Sequence, residues 1–352
     1  MLWPRRLVAA LVLVTLAVYL LYIALWQTHV PAPLFEDWAW YGDGPARLLA
    51  GQPLYDPAYL HGPYYLADSE IMGKFNQWPA LAVALVPFEM LVPQAVQPLA
   101  WGILMTAMLV AAFTLVWPRA TLVTGVALAL LVAAATPTWL AFRTANLACA
   151  IALGVALTIV GQRRRSTGLM ATGLLLAGIA KILPAAPLVL WLLVRHRQWR
   201  PVAVALAAGA ALTAVAVYAQ GVSIISEFIT TSAGQLPLAE WTNVAPAYLL
   251  VPLLGNLALP LSIALALGLT VAALLPGRSN GASLLMLTIA ACLVISTTHL
   301  FWWLSPMIVA LAYYGDRVVG LLGRLFDWPP APQPGRGKSA EGRSAEGQSV
   351  AG

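Results

Sequence analysis

The sequence predicts an all-α, polytopic membrane protein with about ten or eleven transmembrane helices. Three observations carry this. Mean hydropathy is +0.82, with 61 % hydrophobic residues and only 9 % charged. Apolar runs near 20 residues recur along the 352-residue chain, each long enough to cross a hydrocarbon core of about 30 Å as a helix. Backbone polar groups must find partners inside lipid, so repeated runs of this kind exclude a soluble enzyme with one anchor. The third observation is that arginines gather in short loops between the runs. The net charge of +6 therefore reflects membrane topology, and nucleic acid is not an expected partner.

The first apolar run, Leu7 to Trp26, is long for a signal peptide and no A-x-A site follows it. It reads as a retained first helix with Arg5 and Arg6 inside the cell. Residues 27–78 form a long amphiphilic outer loop. Residues 79–97 are apolar but interrupted by Pro87, Glu89 and Pro93, which fits a short span or a re-entrant or interfacial helix. Clearer spans follow at 99–117, 120–139 and 145–161. Residues 167–194 are too short for two full spans, so a hairpin of two short helices is expected, turning near Lys181. A span at 201–220, a second outer loop at 221–245, a long apolar stretch at 246–275 and spans at 281–299 and 300–315 complete the transmembrane domain, 1–327. The tail, 328–352, repeats KSAEG as RSAEG, cannot bury a core, and is expected to be disordered and cytoplasmic. Cys149 and Cys292 lie within apolar runs and are expected to pack.

With the N-terminus inside, 79–97 not crossing and 167–194 a hairpin, Arg119, Arg163 to Arg165, Arg195, Arg197, Arg200, Arg278, Arg317 and Arg324 all fall inside. Both termini are then cytoplasmic, in a plasma (inner) membrane. The polar residues sort to the outer face. Glu36, Asp37, Asp43, Asp56, His61, Asp68, Glu70, Glu227 and Glu240 lie in the outer loops. Arg143, Asn146, Lys181, Asn243 and His299 lie at or just below that surface. Ionisable groups inside spans cost about 2.5–3.5 kcal/mol each to insert, so they mark function.

The densest cluster is FEDWAWYGDG, residues 35–44, three carboxylates interleaved with Trp38, Trp40 and Tyr41. A carboxylate at a water-poor surface is suited to act as a general base on a hydroxyl. Aromatic faces suit the apolar C–H faces of sugars. Lysine, arginine or histidine nearby can hold a phosphate and stabilise a leaving group. The set fits sugar transfer from a lipid phosphate. Each residue also has a plainer reading. Asp37 and Asp43 fit helix N-caps, Lys181 fits snorkelling, His299 fits packing, Trp302 and Trp303 fit an interfacial belt, and Asn146 and Asn243 fit helix capping.

These residues also carry a resemblance. Asp37-Trp-Ala-Trp-Tyr41 followed by ARLLAGQPLYDP (46–57), the segment 146–200 with its asparagine, basic loops and lysine-proline break, WTNVAPAYLLVPL (241–253) and STTHLFWWLSP (296–306) together resemble glycosyltransferase family 87. Three details depart from the family pattern. Arg143-Thr144-Ala145 stands where a Gly-Gln is usual, Gln77-Trp78-Pro79 replaces Tyr-Pro-Pro, and the late histidine is single. The resemblance implies the membrane GT-C fold and transfer of mannose from a polyprenyl-phosphate donor to a lipid or glycan acceptor. It implies that Asp37 is the general base, and that Lys181 and His299 serve the donor phosphate or the architecture of the site. Asn243, Trp38, Tyr41, Arg143 and Asn146 complete the expected binding set. Direct displacement at the anomeric carbon needs one base, and no Asp-x-Asp motif appears, so neither metal nor cofactor is expected. A transporter or flippase is the alternative, and a non-catalytic scaffold a third. The absence of a repeat between the two halves of the chain disfavours the transporter.

Overall fold

The computed structural model describes residues 34–59, 64–65, 74–236, 251–294 and 300–325, with single helical positions at 14, 18 and 21. Helices dominate. Helix α1 (Trp38–Leu49) lies within the segment 27–78 expected as a loop. It starts before Asp43, so Asp43 and Pro45 both sit inside it. Helix α2 (Pro79–Leu91) has 13 residues, or roughly 20 Å at 1.5 Å per residue, short of the bilayer core. A 3₁₀ turn at Gln94–Val96 leads straight into α3 (Gln97–Val116).

The expected span at 120–139 is two helices, α4 (Leu122–Ala134) and α5 (Thr136–Thr144), bent by 63°. Pro137 stands in the first turn of α5 and fits the break at Ala135, because it offers no N–H to continue the hydrogen-bond ladder of α4. Helix α6 (Ala148–Arg163) is buried along nearly its whole length. It is apolar all round, as a central helix must be. Helices α3, α7 (Thr167–Ala180) and α13 (Leu304–Leu325) pack around it. The helical run then breaks at Lys181, which is extended (φ −163°, ψ 130°), before α8 (Ile182–Leu190) and a π turn to Arg195. Helix α9 (Trp199–Gln220) is apolar yet mostly exposed, the signature of a lipid-facing span.

The segment expected as a second outer loop begins with α10 (Ser223–Gly234). Tyr64–Tyr65 (β1) pairs in parallel with Gln235–Leu236 (β2), tying the two outer loops together. Short turns over Val251–Leu257 precede α11 (Ala258–Leu274), and α12 (Asn280–Val294) packs against it. Among the described residues, three helices are long and apolar enough to cross a bilayer, or four if α4 and α5 count as one. The larger count expected from sequence includes runs that proline and lysine cut into helices of 9–14 residues. Cys149 and Cys292 are buried and are not joined in a disulfide.

Helices α6 and α7 approach most closely at two glycines. A Cβ on Gly154 would lie 2.6 Å from the Gly173 carbonyl, and one on Gly173 would lie 2.5 Å from the Gly154 carbonyl. Small residues permit this backbone contact, as is usual between membrane helices. Gly173→Val is expected to lower stability by about 1–3 kcal/mol, the cost of overpacking. Gly168→Ala, with nothing within 4 Å, is expected to leave it unchanged. Thermal melts followed by size-exclusion chromatography check both.

Candidate active site

The site forms where the loop that carries α1 lies across the break between α5 and α6. The last carbonyls of a helix lack partners within it. Here loop one supplies them. The Phe35 N–H donates to the Arg143 carbonyl at 2.9 Å, and the Asp37 N–H donates to the Thr144 carbonyl at 3.2 Å. Ala145 then adopts a left-handed conformation (φ 54°) that ends α5, and its carbonyl accepts from Trp101 Nε1 at 2.8 Å.

Asp37 occupies the N-cap position of α1, but its side chain makes no capping bond. Asn146 Nδ2 donates to Asp37 Oδ2 at 2.5 Å, and the Tyr41 hydroxyl donates to the same oxygen at 3.4 Å. The Asn146 amide also donates to Tyr41 Oη at 3.0 Å. Its other end, Oδ1, accepts from the Ala148 N–H at 2.8 Å and so caps α6. Asn146 therefore starts a helix and holds an acid from a distant part of the chain.

Aromatic packing fixes α1 over this break. The Trp38 ring lies 4.8 Å from Phe88 and 5.1 Å from Trp101, and Tyr41 lies 5.7 Å from Trp101. Trp38 Nε1 donates to Gln97 Oε1 at 3.2 Å. Trp38 and Tyr41 are each only 5 % exposed. The expectation that they offer faces to a sugar is corrected: Trp38 packs, and Tyr41 positions Asp37. Trp40 is half-buried.

Burial pushes the Asp37 carboxyl up to about 7, with the nearby Glu36 charge adding to the rise and the Asn146 hydrogen bond opposing it. Two cations stand near. Arg143 Nη1 lies 4.0 Å from Glu36 Oε1, and its buried Nη2 has no hydrogen-bond partner among the described residues. Lys181 Nζ sits 4.6 Å from the centroid of the Trp302 ring and is drawn by the Asp37 charge. The Lys181–Trp302 pair has no signal in sequence, because neither helical periodicity nor spacing links the two.

Asp43 is not the N-cap that sequence suggested. It lies inside α1, accepts from Arg47 Nε at 3.0 Å on both oxygens, and accepts from the Phe75 N–H at 2.9 Å. Arg47 also pairs with Asp56 at 2.8 Å, and Lys74 pairs with Asp56 at 3.2 Å. These charges hold loop one in shape. Asn243, His299, His61, Asp68, Glu70 and Glu240 lie outside the described residues.

Among known proteins, the family model of glycosyltransferase family 87 matches residues 79–313. No curated protein and no solved structure matches the chain. The matched span is about two thirds of the chain. It includes Arg143, Asn146, Lys181 and Trp302, and begins after Asp37.

Two stability outcomes follow from the site. Asp37 has a raised folded-state pKa, from 3.8 to about 7, so the folded protein holds this proton where the unfolded chain has released it. The associated stability is present below pH 4 and is lost as pH rises through about 7. Asp37→Asn is therefore expected to melt higher than wild type at pH 8, with the gap closing toward pH 4, in parallel melts across that range. Asp43→Ala strands the Phe75 N–H and Arg47, and is expected to lower stability by about 1–3 kcal/mol in a denaturant titration.

Proposed function

The chain belongs to glycosyltransferase family 87 and is a membrane glycosyltransferase; from that premise we propose that it moves mannose from a polyprenyl-phosphate donor to a lipid or glycan acceptor, with inversion. Asp37 is the general base. The observation that carries this reading is a carboxyl raised to about 7, oriented by Asn146 and Tyr41, with Lys181 and Arg143 close by. A base poised near neutral pH combines the right protonation state with useful driving force.

The acceptor hydroxyl gives its proton to the Asp37 carboxylate as its oxygen bonds to the anomeric carbon. The bond between that carbon and the donor phosphate oxygen breaks, and the polyprenyl phosphate departs with the electron pair. Lys181 and the unpartnered Nη2 of Arg143 stabilise its charge. Asn146 and Tyr41 do not react. They hold the carboxylate in place, and their hydrogen bonds favour its charged form against the cost of burial. No metal is required in this scheme, since the leaving group is already a phosphate.

The orientation follows from charge. Arg163 to Arg165 lie at the ends of α6 and α7 away from Asn146 and Lys181. The positive-inside rule supports placing those arginines in the cytoplasm and Asp37 at the outer face of the plasma membrane.

Membranes carrying wild type or Asp37→Asn, supplied with radiolabelled polyprenyl-phosphate-mannose, test the reading. Wild type is expected to put label into a lipid product, at a rate that rises with pH toward a plateau above about 7. The variant is expected to transfer at least about 100-fold more slowly at equal accumulation. Equal activity of the two proteins would remove Asp37 from the base role.

A further inference from the structure

At the end of the bundle away from Asp37, the loop between α6 and α7 meets the loop that enters α9. Together they form an open cavity of about 300 Å³ whose lining includes Arg165, Thr167, Arg197, Gln198, Trp199 and Arg200. Three of these are arginines. The four ion pairs among the described residues involve Arg47, Lys74 and Arg143, and none of the three. The cavity thus concentrates positive charge with no carboxylate paired to it among the described residues.

The backbone adds to this charge. Helix α9 begins at the cavity with no side-chain cap. Uncapped N–H groups at a helix start carry partial positive charge and favour an anion, phosphate above all. Arg165 and Arg197 both hold left-handed backbone, φ 54° and 53°. That conformation costs roughly 1–2 kcal/mol for a residue with a Cβ. The cavity wall is also braced. Arg195, beside Arg197, donates to the carbonyls of Leu275 and Arg278, which anchors the loop to the connection between α11 and α12.

The surroundings decide what kind of anion fits. Trp199 at the cavity mouth is 64 % exposed, and the next turns of α9 present Val204 at 54 % and Leu206 at 65 %. An arginine cavity therefore opens beside an apolar surface that faces lipid, with an exposed tryptophan at the boundary where such residues sit at headgroup level. A free anion would use only the first half of this surface. An anionic lipid uses both halves, and arginine is suited to bind phosphate oxygens two at a time.

We propose that this cavity is a binding site for the phosphate headgroup of an anionic phospholipid, whose acyl chains lie along α9. The site is separate from the Asp37 centre and does not depend on the reaction assigned there. It holds the two basic loops at the ends of α7 and α9, and so braces the helix that carries Lys181 at its other end.

The test uses the purified full-length protein in detergent, offered phosphatidylglycerol, phosphatidylcholine or inorganic phosphate. Retention is read by native mass spectrometry and stability by thermal melting. Wild type is expected to retain phosphatidylglycerol at least tenfold over phosphatidylcholine and to melt several degrees higher with it. The combined Arg165→Gln, Arg197→Gln and Arg200→Gln variant is expected to lose that preference, while Arg119→Gln keeps it. Equal retention of the two lipids by wild type, or an unchanged preference in the combined variant, would overturn the proposal. Inorganic phosphate matching the stabilisation by phosphatidylglycerol would overturn the lipid assignment in favour of a free-anion site. If the combined variant does not fold, Arg200→Gln alone decides: a preference reduced at least threefold supports the site, and an unaltered one rejects it.

Discussion

The hydrogen bond from Asn146 to Asp37 is the constraint on which the rest of the site depends. It joins the first outer loop to the start of the most buried helix in the bundle. The asparagine can do this because its carbonyl is already committed to capping α6, which leaves the amide aimed at the loop. The loop is held from the other side as well, since the end of α5 needs donors for its carbonyls and residues 35 and 37 provide them. A helix end and a loop, each with unmet backbone needs, satisfy one another. The acid is placed as a consequence, beneath the aromatic contacts of Trp38, Tyr41 and Trp101.

Helices α6 and α7 carry this arrangement from one end of the bundle to the other. Asn146 precedes one of them and Lys181 follows the other, and the close glycine contact at residues 154 and 173 sets how far apart they stand. At the opposite ends of the same pair lie the arginines. The bundle is thus polarised, with Asp37, Glu36 and Lys181 at one end and Arg163 to Arg165 at the other, where these arginines form no ion pair among the described residues.

Much of this was legible in the sequence, and what was not has a physical reason. The fold class followed from hydropathy, and the break at Lys181 from a charge and two prolines in a run too short for two spans. Asp37 stood out because acids rarely cluster with tryptophan in so apolar a chain. The roles of its neighbours were harder to read. Trp38 looked like a sugar platform because exposure cannot be seen in a loop whose partner, Trp101, lies on another helix. Asp43 looked like a cap because Asp-Gly-Pro usually starts a helix, yet packing on Trp101 and Phe88 let α1 begin seven residues before Pro45. Helix α13 runs ten residues past its expected end at 315, because Arg317 and Arg324 broke the apolar pattern without breaking the helix. The match to the family model begins at residue 79, so the Asp37 loop rests on its own geometry and on the loop-one resemblance.

The most direct measurement is a titration of the Asp37 carboxyl itself, by NMR on protein labelled with carbon-13 at aspartate side chains. The signal is assigned by its loss in Asp37→Asn. The account predicts a midpoint at about 7, moving higher in Asn146→Ala, where the bond that favours the charged form is gone. A midpoint near 4 in wild type, unmoved by the Asn146 substitution, would mean that Asp37 is solvated rather than held against α6, and would contradict the account.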